Sequence, residues 1–355
     1  MMAEKLDLRG SSLEELQDFC RSNGMQAFRA KQIADWVYGK SVISLTEMTN
    51  IAAGQRELLG ELAFLPDMES LAVKTASDGT TKFLWRLEDK NTLETVLLPY
   101  TEQEQAKNRY TVCMSTQIGC PMGCTFCATG KQGFVRNMTV GEIVSQVILI
   151  NRYLYPKNVS NLVVMGMGEP LLNYDRTLKA LRLLHSFLDI SWRRITLSTC
   201  GLVPKIKQLA EEELPLVLAV SLHAPNDRLR SQIMPVNRKY PLGELLAACI
   251  YYQEKTGRRI SFEYALLAGV NDSPKEAGEL VELLKPLNCH VNLIPVNPHS
   301  GSGYSCPSRK AVRQFKELLE KNCLPVSVRE EKGREIMAAC GQLRQKEAER
   351  NEASG

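Results

Sequence analysis

The sequence predicts an α/β fold, a partial (β/α)6 barrel that follows a small N-terminal helical domain and an antiparallel β extension. Three observations predict it. Helical patterns with capping boxes occupy the first 65 residues, hairpin signals follow them, and strand-like and helical runs alternate from residue 110 onward. Repeated βα units of this kind imply parallel strands with right-handed crossovers.

Residues 1–65 are predicted to form the helical domain. SLEE from residue 12 and SLTE from residue 44 are capping boxes, in which a serine caps the helix and a glutamate caps the serine. Between them, FRAKQIADWVYG places apolar residues at helical spacing and ends on Gly39. The sequence Leu65-Pro66-Asp67 should end the last helix of this domain.

Residues 66–109 are predicted to form the antiparallel extension and a linker. MESLAVKTA and TTKFLWRL flank Asp78-Gly79, which is a strong hairpin signal. TLETVLLP follows a turn at residues 88–90 and should add a third strand. Residues 100–109 are polar, and we expect them to form the linker.

Residues 110–343 are predicted to form the barrel core, and residues 344–355 a disordered tail. Helical stretches such as TVGEIVSQVILINRYL separate six strand-like runs, which are YTVCMST, NLVVMG, RITLST, LVLAVSL, SFEYALL and HVNLIPV. A seventh run, VSVRE, is shorter. Six repeats are too few to close an eight-stranded barrel, so we expect an open barrel whose strands end at one shared cleft.

The composition is typical of a globular protein without a membrane anchor. Of the 355 residues, 44% are hydrophobic and 24% are charged, which allows a sizeable core. No run of about 18 apolar residues is long enough to span a bilayer. The N-terminus carries charges where a signal peptide needs an apolar stretch, so we expect a cytoplasmic protein. The net charge of +4 is weaker than that of proteins that merely coat nucleic acid.

The cysteines give the main chemical signal. Eleven is an odd number, and a reducing compartment does not favour a disulfide scaffold. GCPMGCTFCATG sets Cys120, Cys124 and Cys127 in a C-x3-C-x2-C spacing on the loop after the first barrel strand. Three thiolates can hold three irons of a four-iron cluster and leave the fourth iron open for a substrate. The alternative is a zinc site in which Cys113 is the fourth ligand.

A C-x3-C-x2-C motif on the first loop of a (β/α) repeat domain resembles the radical S-adenosylmethionine superfamily. Within it, the sequence is similar to the family that methylates carbon 2 of adenine in 23S ribosomal RNA and in transfer RNA. The matching segments, in order along nearly the whole chain, are FRAKQI, LETVLLP, VCMSTQIGCPMGCTFCATGKQGFVRN, VVMGMGEPLLN, ITLSTCG, SLHAPND, NLIPVNP and AACGQL. The resemblance implies a radical S-adenosylmethionine barrel, a [4Fe-4S] cluster with three cysteine ligands and one open iron, and S-adenosylmethionine as co-substrate.

The resemblance also implies an S-adenosylmethionine site at the strand ends. Gly168 and Glu169, in GMGEP, would meet the amino group of the methionine moiety. Standing alone, this segment could equally be a βα turn with a helix-capping glutamate. The other implied positions line the ribose, the carboxylate or the adenine, and they are Ser198, Ser221, Leu222, His223 and Asn297. A single histidine on an apolar strand is more often a core residue than a ligand, and His223 stands out because it falls at a strand end with the others.

The implied reaction has two stages and uses two S-adenosylmethionine molecules. The first molecule methylates the Cys340 thiolate. The second yields a 5′-deoxyadenosyl radical, which takes a hydrogen atom from the S-methyl group so that the carbon radical adds to the adenine. Cys113 then attacks the sulfur of the RNA–protein tether and forms a transient disulfide. Glu94 is implied as a proton acceptor. By position alone, Cys340 would be a buried thiol at a helix start and Glu94 a solvent-facing strand carboxylate.

The implied partners are 23S rRNA, tRNA with its target adenine 3′-adjacent to the anticodon, and a reducing protein such as flavodoxin with its reductase. Basic side chains in a cleft would bind RNA phosphates without reading sequence. The candidates for such contacts are Arg29, Lys31, Lys131, Arg136, Arg329, Lys332 and Arg334.

Two departures and two alternatives accompany this interpretation. Cys200 and Cys306 stand where the family more often has serine or another small residue, and we expect neither to touch an implied site residue. The first alternative is the related enzyme that methylates carbon 8 of the ribosomal adenine, which typically lacks the PLLN segment that follows Glu169 here. The second is a non-catalytic, zinc-dependent RNA-binding protein.

Overall fold

A computed structural model of the protein describes residues 5–100, 109–297, 303–330, 332–338, 341 and 343. Its strands are β1 (Leu6–Asp7), β2 (Ala63–Phe64), β3 (Met68–Thr75), β4 (Thr81–Leu87), β5 (Thr92–Tyr100), β6 (Arg109–Cys113), β7 (Gln117–Gly119), β8 (Phe134–Asn137), β9 (Asn161–Val164), β10 (Ile195–Thr199), β11 (Val217–Ser221), β12 (Ile260–Leu266), β13 (Cys289–Pro295) and β14 (Val326–Val328). Its α-helices are α1 (Leu13–Ser22), α2 (Phe28–Ala34), α3 (Ala53–Leu62), α4 (Ala128–Lys131), α5 (Val140–Leu154), α6 (Tyr174–Leu188), α7 (Val203–Glu211), α8 (Asp227–Ile233), α9 (Leu242–Thr256), α10 (Pro274–Leu284) and α11 (Arg309–Lys321).

Residues 5–65 are mainly helical, as the capping boxes predict. Ser12 and Glu15 form a complete capping box at α1. The second box, at Ser44, opens only a single 3-10 turn over Leu45–Glu47. Helix α2 continues into a π-helical turn that ends on Gly39. Helix α3 ends at Leu62, earlier than the proline predicts, because the next two residues form β2 and pair with β1.

The N-terminal segment is tied to the barrel helices by buried polar contacts. The Arg9 side chain is 2% exposed and donates to the Ser145 hydroxyl of α5 at 2.9 Å. It also donates to the carbonyls of Val42 and Pro66, so one guanidinium joins three parts of the chain. The rings of Tyr38 and Phe187 stack with centroids 4.2 Å apart, which packs the π-helical turn against α6.

The antiparallel extension is part of the barrel sheet. Within the described residues, ten strands form one sheet in the order β14-β13-β12-β11-β10-β9-β6-β5-β4-β3. The predicted hairpin at Asp78-Gly79 joins β3 to β4, and β5 pairs antiparallel with β6. Residues 93–98 of β5 are buried on both faces, as expected of a strand in the interior of a sheet. Its two neighbours in the sheet are β4 and β6.

The predicted parallel barrel is confirmed. Strands β6 and β9 to β14 pair parallel in sequence order, and the short run VSVRE supplies β14. The first predicted run, YTVCMST, is shorter in the fold than in the sequence, because β6 ends at Cys113. After it, β7 and β8 form a small antiparallel hairpin that encloses the cysteine loop and α4.

The C-terminal segment folds back across the barrel mouth. The Gly333 amide donates to the Asp78 carboxylate at 2.9 Å, and the Met337 carbonyl accepts from Lys82 at 3.3 Å. Farther along, the Gly341 carbonyl accepts from the Ala128 amide at 2.8 Å. These contacts place residues 332–338 beside the hairpin of β3 and β4, and Gly341 beside the first turn after the cysteine loop. No helix among the described residues is long and apolar enough to cross a membrane.

Candidate active site

The cysteine loop is shaped by its backbone. The Cys120 amide donates to the Gly133 carbonyl at 2.8 Å, and the Cys127 amide donates to the Cys124 carbonyl at 3.1 Å. Gly119, just before the loop, has φ +74°, and a Cβ there would lie 2.0 Å from the Gly133 carbonyl oxygen. Glycine is therefore required for the loop to turn back on β8.

The three loop thiols suit a cationic cluster. Burial, aided by the neighbouring Cys127 and opposed by a backbone hydrogen bond, raises the pKa of Cys120 to about 12. Burial, with Cys127 and Cys120 nearby, raises the pKa of Cys124 well above its ordinary value. Three such thiolates repel one another, and coordinated iron would stabilise their ionised form. Among the described residues, no three histidine, cysteine, aspartate or glutamate side chains are close enough to hold a single metal ion.

A cavity of about 170 Å³ lies beside the loop at the carboxyl ends of the strands. It brings together most of the positions that the sequence implies for cluster and co-substrate, namely Cys120, Cys124, Cys127, Gly168, Glu169, Ser198, Ser221 and His223. Leu222 does not line it, since its side chain is fully buried in the core. Asn297 lines an adjoining cavity of about 250 Å³. Cys127, Gly166 and Gly341 border both cavities.

The Glu169 carboxylate lines this cavity and is fixed by two backbone amides. One carboxylate oxygen accepts from the Leu171 amide at 3.1 Å and the other from the Cys200 amide at 2.8 Å. Glu169 therefore does cap the following turn, as the ordinary βα interpretation requires, and it also lines the cavity. Burial raises the pKa of Glu169 although these amides lower it.

The expectation that Cys200 touches no implied site residue is wrong. Besides its amide, the Cys200 side chain hydrogen-bonds to Glu169, and Cys200 lines the same cavity. The contact joins the ends of the neighbouring strands β9 and β10, which only the folded sheet brings together. Burial and the nearby Glu169 carboxylate raise the pKa of the Cys200 thiol well above its ordinary value, so the thiol stays protonated and donates.

His223 is oriented by the backbone around it. It has φ +58°, and its Nδ1 accepts from the Ala265 amide at 2.8 Å. Its ring packs edge-on against Phe126, with centroids 4.8 Å apart. Burial, together with the nearby charge of Arg230, lowers the pKa of His223 to about 3. The imidazole is therefore neutral and carries its proton on Nε2, because Nδ1 is an acceptor.

The second cavity contains the other implied residues. Cys113 lies at the end of β6 and is buried, with 8% exposure. It lines the cavity together with Asn297, Lys332, Ala338 and Gly341. Cys340 lies outside the described residues, but Ala338 and Gly341 on either side of it border this space. Ala338 and Gly341 are thus near Cys113.

The interpretation of Glu94 as a solvent-facing carboxylate is wrong. Its residue exposure is 3%, and its carboxylate forms an ion pair with Lys82 at 2.9 Å. Lys82 also donates to the Met337 carbonyl. Glu94 is therefore linked through one lysine to the C-terminal segment, close to the second cavity that Val96 of the same strand lines.

The basic side chains predicted to contact RNA differ in the contacts that they form within the protein. Arg136 pairs with Glu142 at 2.8 Å and with Asp89 at 2.6 Å, which commits its guanidinium to the protein rather than to a phosphate. Arg29 lies over the Phe28 ring at 4.7 Å, and Lys332 lies over the Tyr100 ring at 4.4 Å. Arg329 lines both cavities. Lys31, Lys131 and Arg334 stay candidates from the sequence alone.

Glu263 was missed by the sequence analysis. It lies on β12, is 4% exposed and lines the first cavity. The sequence does carry a signal for it, which is a carboxylate inside the apolar strand-like run SFEYALL. Burying a charge is unfavourable, so a carboxylate in a buried strand indicates a binding partner or a functional role.

Fold and site together define a radical S-adenosylmethionine enzyme. Residues 114–302 match the sequence profile of the Radical SAM superfamily, and residues 6–65 match that of the Ribosomal RNA large subunit methyltransferase N-terminal domain. The crystal structure of a radical SAM methyltransferase from Sphaerobacter thermophilus superposes with a TM-score of 0.90. It is 43% identical, and the match covers 96% of this chain and 99% of that one.

Two curated relatives narrow the class. The probable dual-specificity RNA methyltransferase RlmN of Thermotoga neapolitana is 49% identical over 97% of this chain and 98% of the relative. The protein of the same description from Alkaliphilus oremlandii is 47% identical over 97% of this chain and 98% of the relative. The chain belongs to the RlmN family of radical SAM methyltransferases. Membership implies an iron–sulfur cluster and S-adenosylmethionine, and it excludes the non-catalytic zinc protein.

Proposed function

We propose that the protein methylates carbon 2 of a specific adenine in 23S rRNA and of the adenine 3′-adjacent to the anticodon in tRNA. The observation that carries this proposal is the cavity in which Cys113 faces the C-terminal segment on either side of Cys340. The family supports it, since both curated relatives are described as probable dual-specificity RNA methyltransferases. A cytoplasmic location and a flavodoxin-type reductant are consistent with this activity.

We assign the cofactor contacts by position. Cys120, Cys124 and Cys127 would hold three irons, and the open iron with Gly168 and Glu169 would bind the methionine end of S-adenosylmethionine. Ser198, Ser221 and His223 would line its ribose and carboxylate, with Leu222 supporting them from the core. Asn297 would meet the adenine. Its buried Oδ1 has no hydrogen-bond partner within the described residues, and an adenine amino group would supply one.

The cysteines solve a chemical problem. Carbon 2 of adenine has no lone pair, so a direct polar methyl transfer to it does not work. The Cys340 thiolate would instead accept a methyl group from one S-adenosylmethionine molecule. The cluster, when bound, supplies the electron that cleaves a second molecule and generates the radical that activates the S-methyl group.

The remaining steps fall to side chains of the second cavity. After the methylene carbon bonds to the adenine, the adduct radical would give up one electron, which balances the electron consumed when S-adenosylmethionine was cleaved. Glu94 would accept the proton that leaves carbon 2. The Cys113 thiolate would then attack the Cys340 sulfur, forming a disulfide as the carbon–sulfur bond breaks and the methylene carbon takes up a proton. External thiols would reduce that disulfide before the next turnover. The N-terminal domain would position the RNA.

The test is mass spectrometry of nucleosides from RNA incubated with the reconstituted protein. We expect 2-methyladenosine in both 23S rRNA and tRNA, and none with the Cys340→Ala variant. Appearance of 8-methyladenosine instead would assign the protein to the carbon-8 reaction. Unmodified adenine in both RNAs, with S-adenosylmethionine cleavage intact, would contradict the proposal.

A further inference from the structure

Glu263 places an unpartnered carboxylate oxygen at the S-adenosylmethionine cavity. Its Oε1 accepts from Asn292 Nδ2 at 3.0 Å and from the Ser261 hydroxyl at 3.1 Å. Its Oε2 is buried and has no hydrogen-bond partner among the described residues. A buried carboxylate oxygen without a donor is costly, so a ligand that supplies a donor here would be bound favourably.

The carboxylate is fixed in place. Glu263 is the register partner of Ser221 on β11 and of Asn292 on β13. The Ser327 hydroxyl holds Asn292 in turn, donating to its Oδ1 at 2.6 Å. The Glu263 carbonyl also accepts from the Leu222 amide at 3.0 Å. These bonds hold Oε1 and leave Oε2 for a ligand.

The position along the sheet indicates which part of the ligand Glu263 meets. The cluster loop and Glu169 lie toward β6 and β9, where the methionine end is assigned, and Asn297 follows β13, where the adenine is assigned. Glu263 lies on β12, between β11 and β13. The part of the ligand between its two ends is the ribose, whose two hydroxyls are hydrogen-bond donors. A carboxylate oxygen is a strong acceptor for such groups.

We propose that Glu263 Oε2 accepts a hydrogen bond from a ribose hydroxyl of S-adenosylmethionine, which makes Glu263 a further binding residue for the adenosyl group. This rests on the proposed binding of S-adenosylmethionine in this cavity. Glu263→Gln is the informative variant. Because Oε1 must still accept from Asn292 and Ser261, the amide NH2 replaces Oε2 and turns the acceptor into a donor.

The experiment compares dissociation constants of anaerobic, cluster-containing protein for S-adenosylmethionine and for its 2′,3′-dideoxy analogue. We expect Glu263→Gln to weaken S-adenosylmethionine binding about tenfold, the loss typical of a charge-assisted hydrogen bond. The wild type should bind the analogue about tenfold more weakly than S-adenosylmethionine, and the variant should hardly distinguish the two. Glu282→Gln, which removes an exposed carboxylate on α10, should bind like the wild type.

Two results would overturn the assignment. If Glu263→Gln weakens binding of both ligands equally, the carboxylate does not meet the ribose. If it weakens S-adenosylmethionine but not S-adenosylhomocysteine, the carboxylate faces the sulfonium charge instead. Neither result depends on RNA, so the assignment can fail while 2-methyladenosine still forms. Absence of that nucleoside with normal ribose discrimination would refute the proposed function alone.

Discussion

The loop thiols need a cation to ionise inside the protein. Burial raises the pKa of Cys120 to about 12. Replacing Cys120, Cys124 or Cys127 with alanine should therefore abolish the broad visible absorption of the anaerobically reconstituted protein and all S-adenosylmethionine cleavage. Iron content and absorption spectra measure this. Cys113→Ala is the control and should keep its colour; a bleached Cys113→Ala protein would favour a four-cysteine site.

His223 should lower the free energy of unfolding as the pH falls below 6.5. Its pKa is lowered from 6.5 to about 3 in the fold, so the unfolded chain takes up a proton between these values while the folded protein does not. Its contribution is full above pH 6.5 and is lost as the pH falls toward 3.

The matched variant is His223→Asn, because asparagine tolerates a positive φ and can accept from the Ala265 amide. The free-energy difference of unfolding between wild type and variant should fall with decreasing pH, approaching about 1.4 kcal/mol per unit. Anaerobic denaturant unfolding at pH 7.5 and 5.5 measures it. Parallel pH dependences of the two proteins would show that His223 titrates normally.

Among the elements, the hairpin of β3 and β4 anchors the C-terminal segment. Asp78 accepts from the Thr80 amide at 2.8 Å and from the Gly333 amide at 2.9 Å. Gly333 has φ +66°, and a Cβ there would lie 2.7 Å from a Thr80 methyl group. The hairpin thus contacts the C-terminal segment by close packing as well as by a hydrogen bond.

Asp78→Ala should loosen this segment. We expect hydrogen exchange in residues 332–338 to become about tenfold faster, because a hydrogen bond to a carboxylate is lost. RNA methylation should fall with it, while S-adenosylmethionine affinity stays unchanged. Val73→Thr, at an exposed position of β3, should alter neither. Unchanged exchange in Asp78→Ala would show that other contacts hold the segment.

The N-terminal domain is less separable than its sequence suggests. All implied cofactor positions lie beyond residue 110, which predicts that a chain without residues 1–65 keeps cluster and cofactor binding. However, that deletion would leave the Ser145 side of α5 and the Phe187 ring without their partners Arg9 and Tyr38. Point variants on the exposed face of α2 are therefore the better test of RNA positioning.

For the whole molecule, periodic and motif-based features could be predicted from the sequence. The parallel strands, the hairpin at Asp78-Gly79 and the gathering of strand-end residues follow from patterns within short segments. Contacts between distant segments could not be predicted. Cys200 reaches Glu169 only because β9 and β10 are neighbours, and Arg136 is held by Asp89, 47 residues away. Glu263 could have been noticed as a carboxylate in an apolar strand, but only the fold shows that its Oε2 lacks a hydrogen-bond partner among the described residues.

The fold also brings the end of the first barrel strand close to the C-terminal segment. Cys113 ends β6, and Ala338 and Gly341 border the same cavity although they lie more than two hundred residues farther along. This proximity is what a resolving thiol and a methyl-carrying thiol would require. The proposed covalent mechanism is therefore tested most directly by comparing the RNA adducts formed by Cys113 and Cys340 variants.

The deciding measurement is denaturing electrophoresis and mass spectrometry of Cys113→Ala after incubation with RNA, S-adenosylmethionine and a reductant. Without the resolving thiol the reaction should stall with RNA covalently bound, and nuclease should leave a small mass addition on Cys340. Tight binding alone does not survive denaturation. The Cys113→Ala, Cys340→Ala double variant should give no adduct. A Cys113→Ala protein as free of bound RNA as the double variant would contradict the covalent mechanism.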